Sequence, residues 1–526
     1  MSCRLTRREF LVLGAGAGLS AAVGCSGPPP HWPEGTGEIS GAGGNRFASA
    51  TRSAPAEEGR SEEGALLVPI AHLTSTQEGM TLKELSQTKD LAVPQELSKK
   101  VGELLGRSSD ELENLDSPDA VVDRISQTPD AVGLVPWNAV SPRVKALGVD
   151  GKTILSPGAS DAENYPLASG NMSAPDPKEL RQIVVGGDIV LDRGQNYMVI
   201  QQNMGLNFPL DGGYAAVTGR TPEPSSASEF GIIHQFTAER QGEAGKVRDY
   251  LSSADLTLAN FENPVIKDAV WHSDAPTFTG DLRLLPELNQ AGIDGVTLGN
   301  NHIMDAGVPG LQETLGHLDD AGISHAGAEM DLEAARKPML FKLGDLKVGV
   351  LSYQGVPNYE WSWAAEDSPG TVPLKEDVMK EDIKNLRPKV DFIIVMPHWG
   401  IEYTATPEPG QVEFARAAMD AGADLLVGDH GHWPKGIEVY QGKPIFYGTG
   451  NFLFDQSWSE ETSTGILVEA ILYQERVVQA RPIPFIVLDK AQPNFLVAEG
   501  GRDRALKTIF STSLGPEFEP YKKASS

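Results

Sequence analysis

The stretch Leu425-Leu426-Val427-Gly428-Asp429-His430-Gly431-His432 sets two imidazoles one residue apart, directly after an apolar run, in a chain with 10 histidines among 526 residues. The arrangement recurs. Asp188 follows Val184-Val185-Gly186-Gly187, Asn260 and Glu262 follow Leu256-Thr257-Leu258, Asn300, Asn301 and His302 follow Val296-Thr297-Leu298, and His398 follows Ile393-Ile394-Val395. Carboxylates, amides and neutral imidazoles are oxygen and nitrogen donors. Together they suit borderline divalent ions such as manganese, zinc or iron(II). In a strand or extended loop, residues two apart project on the same side, so His430 and His432 are expected to be extended and to share one metal centre. Each residue alone has a plainer explanation: a hydrogen-bonded histidine, a turn aspartate at 188, or a left-handed Asn301 close to Gly299. Five strand ends repeating one pattern outweigh that explanation. His272, His317 and His325 follow no such run and read as surface or structural residues. Glu402, shortly after His398, reads equally well as a neighbour of the site or as a solvated loop residue.

Something must hold these strand ends together. From about residue 180, runs rich in Val, Ile and Leu alternate with helical stretches, which is the pattern of an α/β architecture with strands covered on both faces. Leu311, Leu315 and Leu318 form one helical stripe, with Pro309 suited to the first turn and Gly322 to the C-cap. In α/β sheets, loops at the carboxyl ends of strands are where sites are built. Residues 205–245 form a long polar stretch, expected as a surface loop or lid. The tail from about 490 is expected to end in one docked helix. Ahead of this region, residues 64–175 alternate short strand and helix patterns, with Leu97, Val101, Leu104 and Leu105 on one helical side. They carry no donor cluster and read as a small α/β accessory domain, weakly similar to a fragment of a periplasmic binding protein.

The formal charge of −28 argues against a nucleic-acid partner, because phosphate binding needs clustered Lys and Arg. The N-terminus reads as an export signal. Arg7-Arg8 precedes a short Gly/Ala-rich apolar run that resembles a twin-arginine signal, and the run ends at Cys25 in a sequence resembling a lipobox. Residues 26–63, rich in Gly, Pro, Ser and Glu, read as a flexible tether. The remaining cysteine is Cys3, so a mature chain starting at Cys25 has no disulfide.

Five stretches carry a resemblance: "GGDIVLDRG", "ADLTLANFENPV", "GIDGVTLGNNHIMDAGVPGLQETLGHLDDAGI", "DFIIVMPHWGIEY" and "AGADLLVGDHGHWPKGIEVYQGKPIFYGTGNF". Residues 180–490 resemble the CapA family, poly-γ-glutamate (capsule) biosynthesis proteins related to calcineurin-like metallophosphatases. The resemblance implies a four-layer α-β-β-α sandwich with metal at one edge. It implies Asp188, Glu262, Asn301, His398, His430 and His432 as ligands of one or two divalent ions. His302 falls where the superfamily keeps its general acid, with Asp305 as the partner that orients it. Two departures stand out. The superfamily's first motif is Asp-x-His, whereas here Val190 follows Asp188-Ile189; and Glu262 stands where an aspartate is usual. Both affect one metal position. The resemblance implies either a metal-dependent hydrolase-like protein of capsule or poly-γ-glutamate synthesis or export, or a non-catalytic accessory protein with a structural or vestigial metal site. A plain phosphatase is a third, weaker reading. The implied partners are an anionic polymer or phosphoester and a membrane synthase complex, while the lipobox-like run leads to the expectation of an anchor at the outer face of the cytoplasmic membrane through a lipid on Cys25.

Overall fold

The computed structural model describes residues 64–156, 164–168, 172–223, 232–273, 276–357 and 359–525. The expected export signal, Cys25 and the 26–63 tether lie outside the described residues.

Five short strands open the described chain: β1 (Leu67–His72), β2 (Ala92–Pro94), β3 (Glu113–Leu115), β4 (Val132–Pro136) and β5 (Val144–Ala146). They form one sheet in the order β3-β2-β4-β1-β5. Helices α1 (Ser98–Leu105) and α2 (Pro118–Ser126) cover it with Val101, Leu105, Val121 and Ile125. Ser117 caps α2 through its side chain, and Pro118 occupies the first turn. This core runs on into Leu180, Ile471 and Val478 of the following region. Ala65–Ser526 form one compact unit.

The larger region is built on β6 (Leu180–Ile189), whose successive Ile183, Val184 and Val185 are all fully buried. Such a strand must be covered on both faces. Its sheet also contains β7 (Tyr214–Pro222), β8 (His234–Gln241), β9 (Leu256–Phe261), β10 (Gly295–Thr297) and β11 (Ser324–Ala326). A second, six-stranded sheet contains β12 (Met339–Leu343), β13 (Leu346–Gln354), β14 (Phe392–His398), β15 (Leu425–Val427), β16 (Ile437–Tyr440) and β17 (Lys443–Phe446), in the order β12-β13-β14-β15-β17-β16. The chain then returns to the first sheet with β18 (Asn451–Leu453), β19 (Thr464–Tyr473), β20 (Arg476–Leu488) and β21 (Gln492–Leu496), which completes the order β8-β7-β21-β20-β19-β6-β9-β10-β11, with β18 alongside β6.

Alternation sorts the side chains into layers. Ile183, Val185 and Leu258 of the first sheet meet Val348, Val350, Phe392, Ile394 and Val427 of the second in one core. On the outer face of the first sheet, Val184 and Ala259 pack on α3 (Lys246–Ser253), α4 (Leu285–Gln290) and α5 (Gly307–Ala321) through Leu251, Leu288, Leu311 and Leu315. On the outer face of the second, Leu351, Ile393 and Val395 pack on α6 (Glu376–Leu386) and α7 (Pro409–Ala421) through Ile383, Leu386, Phe414 and Ala418. The result is the four-layer α-β-β-α sandwich that the resemblance implies. No helix of the described residues is long and apolar enough to cross a membrane.

Two expectations need correction. The 205–245 stretch is not one loop, because β7 and β8 pair as an antiparallel hairpin from Tyr214↔Gln241 to Pro222↔His234. Its polar average hid a two-residue alternation. Val217, Phe236 and Ala238 pack beside buried Ala215, against Ile486 and Leu496. The tail holds two helices rather than one, α8 (Asp503–Thr512) and α9 (Glu519–Ser525).

Candidate metal centre

The parallel strands β6, β9 and β10 of one sheet and β14 and β15 of the other end on a common rim. Asp188 lies near the end of β6, Glu262 just after β9, and Asn300, Asn301 and His302 in the turn after β10. His398 is the last residue of β14, and His430 and His432 lie in the loop after β15. All six expected ligands are therefore brought together, and all are buried. Candidate donor atoms of three sets lie within 4.8 Å of one another: Glu262, His398 and His430; Asp188, His398 and Asp429; and Asp188, Glu262 and His432.

His430 and His432 are not extended. Their φ angles are 83° and 54°, so each sits in the left-handed region that side chains other than glycine seldom adopt. Gly431 between them packs against buried Lys435, whose Cε would lie 2.8 Å from an added Cβ. The two rings converge, with centroids 5.9 Å apart, through two left-handed residues.

The hydrogen bonds orient the rings. His398 Nδ1 meets the Asp429 carboxylate, and its Nε2 lies 2.7 Å from Asn301 Oδ1 and 3.1 Å from His430 Nδ1. Asn260 Nδ2 donates to Asp188 Oδ1 at 2.8 Å. His432 Nδ1 lies 2.8 Å from Asn451 Oδ1, and the Asn451 amide nitrogen donates to Thr462 O at 2.9 Å and Gln456 Oε1 at 3.3 Å. Asp429 and Asn451 were not foreseen as members of the site. Asp429 satisfies the strand-end rule, since it is the first polar residue after Val427. Asn451 opens its strand instead of following one, and reaches the rim because β18 sets it opposite Asp188.

Burial alone would push these acids up and the imidazoles down. Burial opposes the charge on His398, yet Glu262 and Asp429 raise its pKa to about 10. His432 is likewise raised to about 9 by Asp188 and Glu402. Burial lifts Asp429 to about 7 despite His398, whereas His430 is pushed well down by burial and by its neighbouring imidazoles.

The carboxylates test the fit for a cation. Neither Glu262 oxygen and not Asp188 Oδ2 has a hydrogen-bond partner among the described residues. His398 Nε2 is 3.3 Å from Glu262 Oε1 but is engaged with Asn301, and His432 Nδ1 is 3.6 Å from Asp188 Oδ2, beyond hydrogen-bond range. Buried carboxylate oxygens without donors are costly unless a cation meets them. The set fits a divalent ion.

His302 stands beside this cluster. Its Nδ1 lies 2.9 Å from Asp305 Oδ2, which also accepts the Phe278 backbone N–H at 2.9 Å. The His302 ring packs on Phe278, centroids 4.5 Å apart, and its side chain keeps 15% of its surface exposed. Burial disfavours its charged form, but Asp305 prevails and holds its pKa above the ordinary histidine value. Val190, where the superfamily pattern has histidine, is buried in an apolar cluster with Phe278 and Phe454. His272 bonds buried Asp192 at 2.5 Å, while His317 and His325 lie near Glu313 and Asp319, away from the donors.

The chain is 32% identical over 227 residues to the "PGA biosynthesis protein CapA" of Bacillus subtilis, a match covering 42% of this chain and 59% of that protein. It is 32% identical over 296 residues to a "Probable polyglutamine synthesis accessory protein" of Mycobacterium tuberculosis, covering 52% of this chain and 74% of that one. The chain thus spans less than two thirds of the Bacillus subtilis relative. Among solved structures, a phosphatase of Mycoplasma pneumoniae aligns over 60% of this chain and 95% of its own, at 13% identity and a TM-score of 0.35. Residues 182–456, which include every donor named above, match the family described as bacterial capsule synthesis protein PGA_cap, and with more than half its length inside that match the chain belongs to this family.

Proposed function

We propose that this protein is a metal-dependent hydrolase-like component of capsule or poly-γ-glutamate production, exported and held at the outer face of the cytoplasmic membrane through a lipid on Cys25. Family membership supports the biological setting, and Arg7-Arg8 and the run ending at Cys25 support the location. Asp188, Glu262, Asn301, His398, His430 and His432 would hold one or two ions, with manganese, zinc or iron matching the donor types. Such an ion polarises a phosphoryl or acyl oxygen and lowers the pKa of water, and it supplies the positive field that an anionic substrate needs against a chain of −28.

The observation that carries the catalytic reading is the His302–Asp305 pair. Asp305 engages Nδ1, so Nε2 is the nitrogen left to hold a proton and pass it to a leaving group. Phe278 shields one face of the ring. The second reading, an accessory protein whose metal site has no turnover, is favoured by Val190 in its apolar cluster.

Hydrolysis of a phosphodiester and of poly-γ-glutamate, measured beside metal content, separates the two. His302→Asn is expected to keep its metal and lose turnover by about a hundredfold or more. No turnover by wild-type protein with metal bound selects the accessory reading. Cell fractionation of Cys25→Ser tests the anchor; unchanged membrane association in that variant would remove it from the proposal.

A further inference from the structure

The carboxylate of Glu402 faces both outer histidines. Its Oε1 lies 3.9 Å from His430 Nε2 and 4.0 Å from His432 Nε2. His432 already spends Nδ1 on Asn451, whose amide nitrogen is held by Thr462 and Gln456, so Nε2 is the atom free to act as a donor. It is Nε2 that points toward Glu402.

The support behind Glu402 is extensive. The Tyr403 side chain lies beside its carboxylate and favours the charged form. Gln456 Nε2 donates to the Tyr403 hydroxyl at 3.4 Å, and the same Gln456 accepts from Asn451. One chain of hydrogen bonds thus joins Asn451, through Gln456, to the Tyr403 hydroxyl beside Glu402. The backbone is pinned as well. Fully buried Lys435 donates to Ile401 O at 3.0 Å and pairs with Glu408 at 3.2 Å, while Glu408 accepts the Ile401 N–H at 3.0 Å. Tyr403 has a φ of 59° and donates its N–H to Gly431 O at 2.9 Å, between the two histidines. A left-handed tyrosine, a buried lysine and a hydrogen-bond relay are a large investment for a solvated loop glutamate.

On the opposite flank, the place for an imidazole at 190 is filled by valine among phenylalanines, and Phe454 lies against His432 with ring centroids 5.4 Å apart. From that side the chain offers no donor at residue 190. We propose that Glu402 is a metal-site carboxylate, supplying from the open side of the cluster the donor that residue 190 does not. Glu262, shared by two of the donor sets, spans the cluster from within, and Glu402 spans His430 and His432 from outside. This inference rests on the metal-centre reading above.

The test is calorimetric titration of Mn2+ and Zn2+ into the chelator-stripped full chain, wild type beside Glu402→Gln. The expected result is that Glu402→Gln weakens an ion bound by the wild type about tenfold or more, with the circular dichroism of the stripped proteins superimposable. Unchanged isotherms in a folded Glu402→Gln would overturn the proposal and leave the metal centre standing. No binding by wild type would instead remove the metal centre itself. A measurement without any variant is anomalous diffraction from Mn2+-soaked wild-type crystals. A Glu402 oxygen within about 2.0–2.3 Å of an ion supports the assignment, and one remote from every ion overturns it.

Discussion

Around His398 both ring nitrogens are engaged, with Asp429 at Nδ1 and Asn301 and His430 at Nε2, and a Glu262 oxygen lies 3.3 Å from Nε2. Around Asp188 the network thins. Asn260 satisfies one oxygen, the other has no donor among the described residues, and two positions on, Val190 turns into an apolar cluster. The two flanks belong to one cluster and share Glu262, yet one is built as a dense imidazole–carboxylate network and the other as a carboxylate against grease. The difference predicts unequal ion affinity, with the His398 flank the tighter.

The strongest way to break that comparison is His398→Ala. It removes the residue common to two donor sets and leaves Asp429 buried without its imidazole, which is expected to cost about 3–5 kcal/mol of stability. Denaturant unfolding of the stripped protein reads this directly, and a midpoint equal to wild type would show that the dense flank is not structural. Removing bound ions with a chelator comes next. An ion present at about a hundred times its Kd stabilises by about 2.7 kcal/mol, so the melting temperature should fall on stripping and recover on adding Mn2+. Val190→His sharpens the comparison from the weak side. It offers the absent imidazole and should raise affinity for the weaker ion by about tenfold, at some cost in packing with Phe278 and Phe454; titration showing no gain would mean that the flank is closed to donors. The smallest effect is expected far from the rim, at Glu78, which pairs with Lys145 and Arg481 at 2.9 Å where the N-terminal sheet meets the sandwich. Burial raises its pKa, but Lys145, Arg481 and Arg502 prevail and hold it below the usual glutamate value. Its contribution is therefore present above pH 4.5 and lost as pH falls through the lowered folded value. Glu78→Gln should cost no more than about 1 kcal/mol at neutral pH, flatten the acid limb of a stability–pH curve, and leave both ion affinities unchanged.

Much of this site could be read from the chain because each strand announces itself by an apolar run and each donor stands just past its end. Asp188, Glu262, Asn301 and His398 all stand at such ends, and the family resemblance singles them out from neighbours such as Asn260 and Asn300. The same rule covered His430 and His432 but gave the wrong reason for their convergence, since spacing cannot reveal that both adopt positive φ. Asn451 escaped because a donor that enters its strand at the rim reverses the order of signals. Glu402 stayed ambiguous because its support comes from Gln456 and Lys435, residues distant in sequence with no shared motif. The hairpin of β7 and β8 was missed because small apolar residues such as Ala215 and Ala238 carry little hydrophobic signal against polar neighbours. Packing against β21 decides that segment.

The candidate ligands are divided between the two sheets: Asp188, Glu262 and Asn301 on one, His398, His430 and His432 on the other. An ion gripped by both is a rivet at the open edge of the sandwich. Amide exchange should then slow together in β6 and β9 and in β14 and β15 when the ion is bound, because opening either sheet at that edge would require releasing it. Ion supply in the protein's surroundings would set not only what this edge can do but how long the two layers stay shut.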